Sequence, residues 1–334
     1  MKDVPRNFPN KPFIFSESVS ALQTRGYYRM PSDSIYKAPV EWWLPYTDPS
    51  FKCSAYDNMH ASWSSTHEET WDVVKHNDFV GGQFIWTGFD YIGEPTPYAY
   101  PARSSYFGII DLAGLPKDSY YMYQSEWTKK PVLHLFPHWN WLPGQQIDMW
   151  CYYNQADEVE LFINGKSQGI RKKKVHGEGN EAAVFDRSTE YHVMWRVTFE
   201  PGEVKVVARK QGREISSQTI KTAGPPHHLV LKKTYQNTLA SGVLGDLQSP
   251  SSPTTFVEVN VVDKDGNLCP NAENEIYFSS TAEILGTDNG NQTSLERFTD
   301  PKRKAFFGKC IIVLRGHGTL RAESIDLQQA TIQL

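Results

Sequence analysis

The chain changes its hydrophobic texture near Lys130. Before that point two apolar runs, Pro12 to Phe15 and Gln83 to Trp86, each read as a short strand that empties into a polar or glycine-rich loop. Between them, Ala61 to His76 sets Trp63, Trp71 and Val74 near helical spacing, which predicts a helix packed by one face. Leu115 to Trp127, with Pro116 near its start and tyrosines along one side, predicts another helix. Thr24 to Ser54 is polar, aromatic and punctuated by Pro31, Pro39, Pro45 and Pro49. It reads as a long loop over the end of the first strand, and loops of that length in compact domains are usually functional.

Beyond Lys130 the runs shorten and alternate, a strand signal. Pro131 to Pro137, Ile147 to Tyr153, Glu158 to Ile163, Gly169 to Lys174, His192 to Phe199, Gly202 to Arg209 and Arg213 to Thr222 predict a β-sandwich of about seven strands. Asn164-Gly165 marks a type I′ hairpin turn. The basic run Arg171 to Lys174 reads as a solvated strand edge that discourages aggregation. Ala223 to His228 is a linker. Strands near His228 to Lys232, Thr255 to Val262, Glu275 to Ser279, Phe306 to Arg315 and Gly318 to Ser324 then predict a second sandwich. Asp263 to Gly266 and Thr287 to Asn291 read as turns. The expected domains are therefore 1–130, 131–223 and 224–334.

Composition narrows the function classes. Aromatic residues make up 13% of the chain, a load that suits both β-rich cores and flat binding platforms. A formal charge of −4 with no basic face argues against a nucleic-acid partner. No stretch approaches the length of an apolar membrane span, and the first residues show no export signal. Cys53, Cys151, Cys269 and Cys310 lack metal-site spacing and read as buried free thiols. His227 and His228 are neighbours in an extended segment, so their side chains point apart and do not share an ion. Asp263 and Asp265 lack the later glutamate of a calcium loop. No metal site and no cofactor are expected, and neither a phosphate-binding glycine loop nor a Gly-x-Ser-x-Gly elbow is present.

The candidate chemistry lies at the two strand ends. Glu17 follows Phe13 to Phe15 and is flanked by Ser16 and Ser18, while Asp90 and Glu94 lie in the aromatic loop after Trp86. In a parallel α/β barrel, catalytic groups sit where strands end. Three segments, Phe13 to Ser18, Phe84 to Tyr91 and Phe107 to Tyr121, occur in the order and style of glycoside hydrolase family 2. They resemble the last two barrel strands and the closing helix of its β-galactosidase branch. Glu158 to Ser167 is similar to the immunoglobulin-like domain that follows the barrel in Bacteroides-type members.

That resemblance implies a multidomain chain: the C-terminal portion of a (β/α)8 TIM barrel followed by two immunoglobulin-like sandwiches. It implies a retaining glycoside hydrolase acting on terminal β-galactosides through a covalent glycosyl-enzyme on Glu17. Ser16 and Ser18 would donate hydrogen bonds that keep Glu17 ionised, Trp86 would wall the sugar ring, and Asp90 and Glu94 would meet sugar hydroxyls. Trp42 and Trp43 are further candidate platforms, or else pack the loop onto its own barrel. The family's acid/base glutamate precedes the nucleophile by more than the 16 residues available here. The chain is thus expected to be a C-terminal fragment, incomplete alone, whose partner is the missing barrel or another copy. A periplasmic or secreted home follows from the family. The alternatives are β-glucuronidase or β-mannosidase specificity, or a non-catalytic carbohydrate-binding spacer.

Overall fold

The structure, a computed structural model, describes residues 3–176, 188–237 and 252–334. The chain divides into two compact units, Met1–Pro137 with Leu142–Thr219, and His138–Trp141 with Ile220–Leu334. β-Strands dominate both, with few helices.

The first unit opens with a short helix α1 (Val4–Asn7) and strand β1 (Phe13–Ser18). Two-residue strands β2 (Tyr36–Lys37) and β3 (Met59–His60) follow, then α2 (His67–Lys75), β4 (Val80–Ile85) and α3 (Asp118–Trp127). β1 and β4 pair in parallel, with Ser18 opposite Ile85. Antiparallel strands can be joined by a tight turn, but parallel ones need a crossover, and α2 lies in it. β1 runs further than its apolar residues indicate and takes in Glu17. Both helices are shorter than their sequence patterns: Ala61 to Ser65 are not helical, and α3 begins only at Asp118. For α2 the reason is a capping box. Thr66 Oγ1 accepts from the Glu69 amide at 3.2 Å, and Glu69 Oε2 accepts from the Thr66 amide at 3.0 Å.

Seven strands then form two sheets. β5 (Leu133–Phe136), β6 (Gln146–Tyr153) and β9 (His192–Thr198) make one, in the order β5-β6-β9. β7 (Glu158–Ile163), β8 (Lys166–Arg171), β10 (Glu203–Lys210) and β11 (Arg213–Lys221) make the other, in the order β11-β10-β7-β8. Asn164 and Gly165 both have positive φ, 48° and 78°, as the predicted I′ turn requires. A Cβ on Gly202 would fall 1.9 Å from Asn164 Oδ1, so only glycine lets this turn seat against its neighbour. β8 is an edge strand, but the basic run beside it is not wholly solvated. Lys173 pairs with Glu126 at 3.2 Å and lies over the Tyr153 ring, and burial lowers its pKa against the pull of Glu126.

An aromatic core joins the α/β segment of this unit to its sandwich. Tyr56, Ile109, Met122 and Tyr123 from the α/β segment pack with Phe136, Trp150, Tyr152, Tyr191 and Met194 from the sandwich. No break in packing occurs near residue 130. Asp148 on β6 cements the junction. Its buried carboxylate accepts from the Ser32 amide (2.7 Å), from Ser32 Oγ (2.9 Å) and from two nitrogens of Arg196 (2.7 and 2.9 Å).

The second unit is a four-on-four sandwich. β12 (His228–Asn237), β13 (Thr254–Val262), β17 (Lys309–Arg315) and β15 (Glu283–Asp288) form one sheet. β16 (Lys302–Lys304), β14 (Glu275–Ser280), β18 (Thr319–Glu323) and β19 (Ala330–Gln333) form its partner. Val257, Val259, Ile276, Ile312 and Leu320 fill the space between. Asp263 makes the predicted turn, accepting from the amides of Asp265 and Asn267. Thr287 and Asp288 belong to β15 rather than to a turn; the turn starts at Asn289, whose amide Asp288 Oδ1 accepts at 2.7 Å. All four cysteines are buried thiols.

Candidate active site

Glu17 and Trp86 stand at the C-terminal ends of adjacent parallel strands. The Trp86 amide donates to the Ser18 carbonyl at 2.7 Å, which ties the two ends together. Glu17 is exposed. Just beyond it the chain turns through Val19, a buried β-branched residue at φ 65°. Such a conformation costs on the order of 1–3 kcal/mol and survives only where the surroundings impose it. Ser18 does not serve Glu17 as expected. Ser18 Oγ lies 3.2 Å from both Gln83 Oε1 and the Phe84 carbonyl, so its proton is used across the sheet.

Trp86 is partly exposed, and its indole N–H donates to Tyr91 Oη at 3.0 Å. Tyr91 in turn donates to Glu94 Oε2. Burial, then the Glu94 carboxylate, raises the Tyr91 phenol well above its ordinary range, so it stays a neutral donor. The three residues form a relay that sets the plane of the indole, leaving Glu94 exposed at its end. Trp42 and Trp43 are 70% and 62% exposed and touch each other edge to face. They do not pack the long loop onto the body of the unit.

Asp90 is seated differently from its neighbours. It is buried, forms an ion pair with Lys117 Nζ at 2.8 Å and accepts from the Gly108 amide at 2.8 Å. Burial raises its pKa to about 6, against the lowering effect of Lys117. Lys117, also buried, donates to the carbonyls of Gln23 and Tyr106 as well. A Cβ on Gly108 would lie 2.1 Å from the Asp90 amide nitrogen, so glycine is what allows the two loops to touch. A parallel pairing of Arg25 with Asp111 at 2.6 Å fastens the same segment to the loop after β1. Sequence reasoning missed Lys117, Arg25 and Asp111, because each pair joins residues far apart in the chain.

An exposed carboxylate at one strand end, a partly exposed tryptophan at the next and an acid-anchored loop make up the candidate site. The class follows from comparison. Residues 246–333 match the glycoside hydrolase family 2 C-terminal domain 5, and residues 144–216 match a domain of unknown function (DUF4982). The chain belongs to glycoside hydrolase family 2, as a C-terminal part.

Among individual proteins it is 53% identical over 339 aligned residues to a β-galactosidase of Bacteroides ovatus, covering 99% of this chain and 37% of that protein. It is 28% identical over 178 residues to a β-glucuronidase of Formosa agariphila, covering 53% of this chain and 16% of that protein. The crystal structure of a β-glycosidase from Bacteroides vulgatus superposes with a TM-score of 0.81 at 30% identity, covering 100% of this chain and 43% of that one. The chain therefore spans less than half the length of these relatives.

Proposed function

We propose that this chain is the C-terminal part of a retaining β-galactosidase and carries its nucleophile, Glu17. In this reading β1, α2, β4 and α3 are the closing units of a (β/α)8 barrel, and the two sandwiches, 131–223 and 224–334, follow it. The observation that carries the reading is the side-by-side placement of Glu17 and Trp86 at the ends of parallel strands, where barrel enzymes keep their chemistry. Exposed Ile14 on β1 and Phe84 on β4, at 54% and 66%, are the apolar positions that further barrel strands would cover.

The chemistry follows from the roles. Glu17 attacks the anomeric carbon as the aglycone leaves, and water later releases the glycosyl-enzyme. Trp86, held by Tyr91 and Glu94, offers an apolar wall under the ring, and Glu94 accepts from a sugar hydroxyl. Asp90 acts through position, holding the loop with Lys117. A retaining pair needs a second carboxyl about 5–5.5 Å from the first. Asp90 is committed to Lys117 and Glu94 to Tyr91, so neither serves as that second carboxyl; in this reading the resemblance to family 2 puts it on an earlier barrel strand.

The chain alone is expected to leave an aryl β-D-galactoside intact. Joined to the rest of its barrel it hydrolyses it, and Glu17→Gln lowers kcat by about a thousandfold or more. Turnover indifferent to Glu17 would sink the assignment. The Formosa agariphila relative favours a second specificity, and an aryl β-D-glucuronide in the same assay decides between the two.

A further inference from the structure

Away from the strand ends, the first unit gathers a second set of chemically capable side chains. Asp72 on α2 and His76, the residue that caps its C-terminus, lie one turn apart, so both face the same way. His176, beyond β8, and Glu190, just before β9, meet them from the sandwich side. One donor atom from each of the four lies within 4.8 Å of all the others. His76 Nε2 is 2.9 Å from Glu190 Oε2 and 3.8 Å from Asp72 Oδ1. His176 Nδ1 is 3.5 Å from Glu190 Oε2 and 3.9 Å from Asp72 Oδ1. Ligands at zinc's bond lengths of about 2.0–2.1 Å in a tetrahedron stand about 3.3 Å apart. The observed separations scatter around that value.

We propose that Asp72, His76, His176 and Glu190 form a structural zinc site that clamps α2 to the sandwich. Two imidazoles and two carboxylates suit zinc, whereas calcium and magnesium favour all-oxygen shells. The supporting shell is in place. Tyr191 Oη donates to Asp72 Oδ1 at 2.9 Å, and Lys75 Nζ holds Glu190 Oε1 at 2.8 Å, while Glu190 Oε2 faces His76 Nε2. The imidazoles stack at present, with centroids 3.5 Å apart and planes 19° apart. They must splay to aim both nitrogens at one ion, and the exposed His176 has room to move.

The surrounding cationic and titratable groups define the setting. Lys75 also pairs with Glu126 at 2.9 Å, Lys173 with the other Glu126 oxygen at 3.2 Å, and Lys75 lies over the Tyr191 ring. These contacts satisfy the lysines without drawing on Asp72 or on either imidazole.

The test is a calorimetric zinc titration of the EDTA-treated full chain at neutral pH. The expected result is one ion at this cluster with Kd below about 10 μM, and a Tm that rises with zinc and falls back with EDTA. His176→Ala, at an exposed position, should fold as the parent does by circular dichroism. It should weaken zinc binding at least about tenfold and abolish the Tm rise. His76→Gln should do the same. Replacing His227 and His228 together should leave this binding unchanged. No zinc binding by the parent, undiminished binding by His176→Ala, or loss confined to the His227/His228 variant would each overturn the proposal.

Discussion

The side chains that shape the candidate site are mostly not the ones that would touch a sugar. Lys117 is the case in point: a buried ammonium with three acceptors, Asp90 and the carbonyls of Gln23 and Tyr106, holding together the loops after β1 and β4. Removing one partner of a buried pair leaves an uncompensated charge, which costs about 3–5 kcal/mol. Lys117→Met should therefore lower the unfolding free energy by that order in urea melts. Lys117→Met combined with Asp90→Asn should recover part of the loss, because the orphaned carboxylate is gone. A double variant no better than the single would show that Lys117 matters through its carbonyl contacts instead. Glu17, Trp86 and Glu94 could be singled out from the sequence because strand-end acids and aromatics carry a pattern. Asp90 sits in the same loop, yet its burial depends on Lys117 and Gly108, which no local pattern reveals.

At the scale of elements, legibility followed periodicity. β7 alternates strictly, and its bounds match the apolar run; its type I′ turn matches too, because Asn-Gly encodes positive φ directly. β15, β16 and β19 were not legible. β15 carries Gly286, Thr287 and Asp288, β16 is wholly basic, and both owe their pairing to neighbours rather than to their own side chains. α2 shows the opposite lesson. Its apolar spacing extends back to Ala61, but Thr66 and Glu69 stop it at His67, and Asp57 accepts from the amides of His67 and Glu68 at 2.9 and 2.8 Å. The capping box was written in the sequence and outranked the spacing. Thr66→Ala should cost about 1 kcal/mol, read as a lower urea midpoint at constant slope. An unchanged midpoint would mean that Asp57 alone satisfies the helix start.

For the whole first unit, the decisive feature is the core shared between the α/β segment and the sandwich. The α/β segment left to itself would expose Tyr56, Met122 and Tyr123, which here pack against Trp150, Tyr152 and Met194. Asp148 is the polar anchor of that junction, joined to Ser32 in the long loop and to Arg196 on β9, which also reaches Asp33 at 2.9 Å. Burial raises the Asp148 pKa, but Arg196 and Ser32 outweigh it, so the folded value lies below the ordinary one. A depressed folded pKa means that the unfolded chain binds the proton more readily in acid. The stabilisation is complete above the unfolded value of about 3.9 and is lost as pH falls through the folded one. Asp148→Asn keeps the shape, removes the charge and leaves Arg196 short of its bidentate partner. It should destabilise the unit by about 3 kcal/mol at neutral pH, and the gap to the parent should narrow as the pH is lowered below about 4. Hydrogen exchange gives the sharper reading. If the core is one cooperative body, amides in β1 and β4 and amides in β6 and β9 lose protection together in the variant. Loss confined to the sandwich strands would show that the α/β segment stands without it.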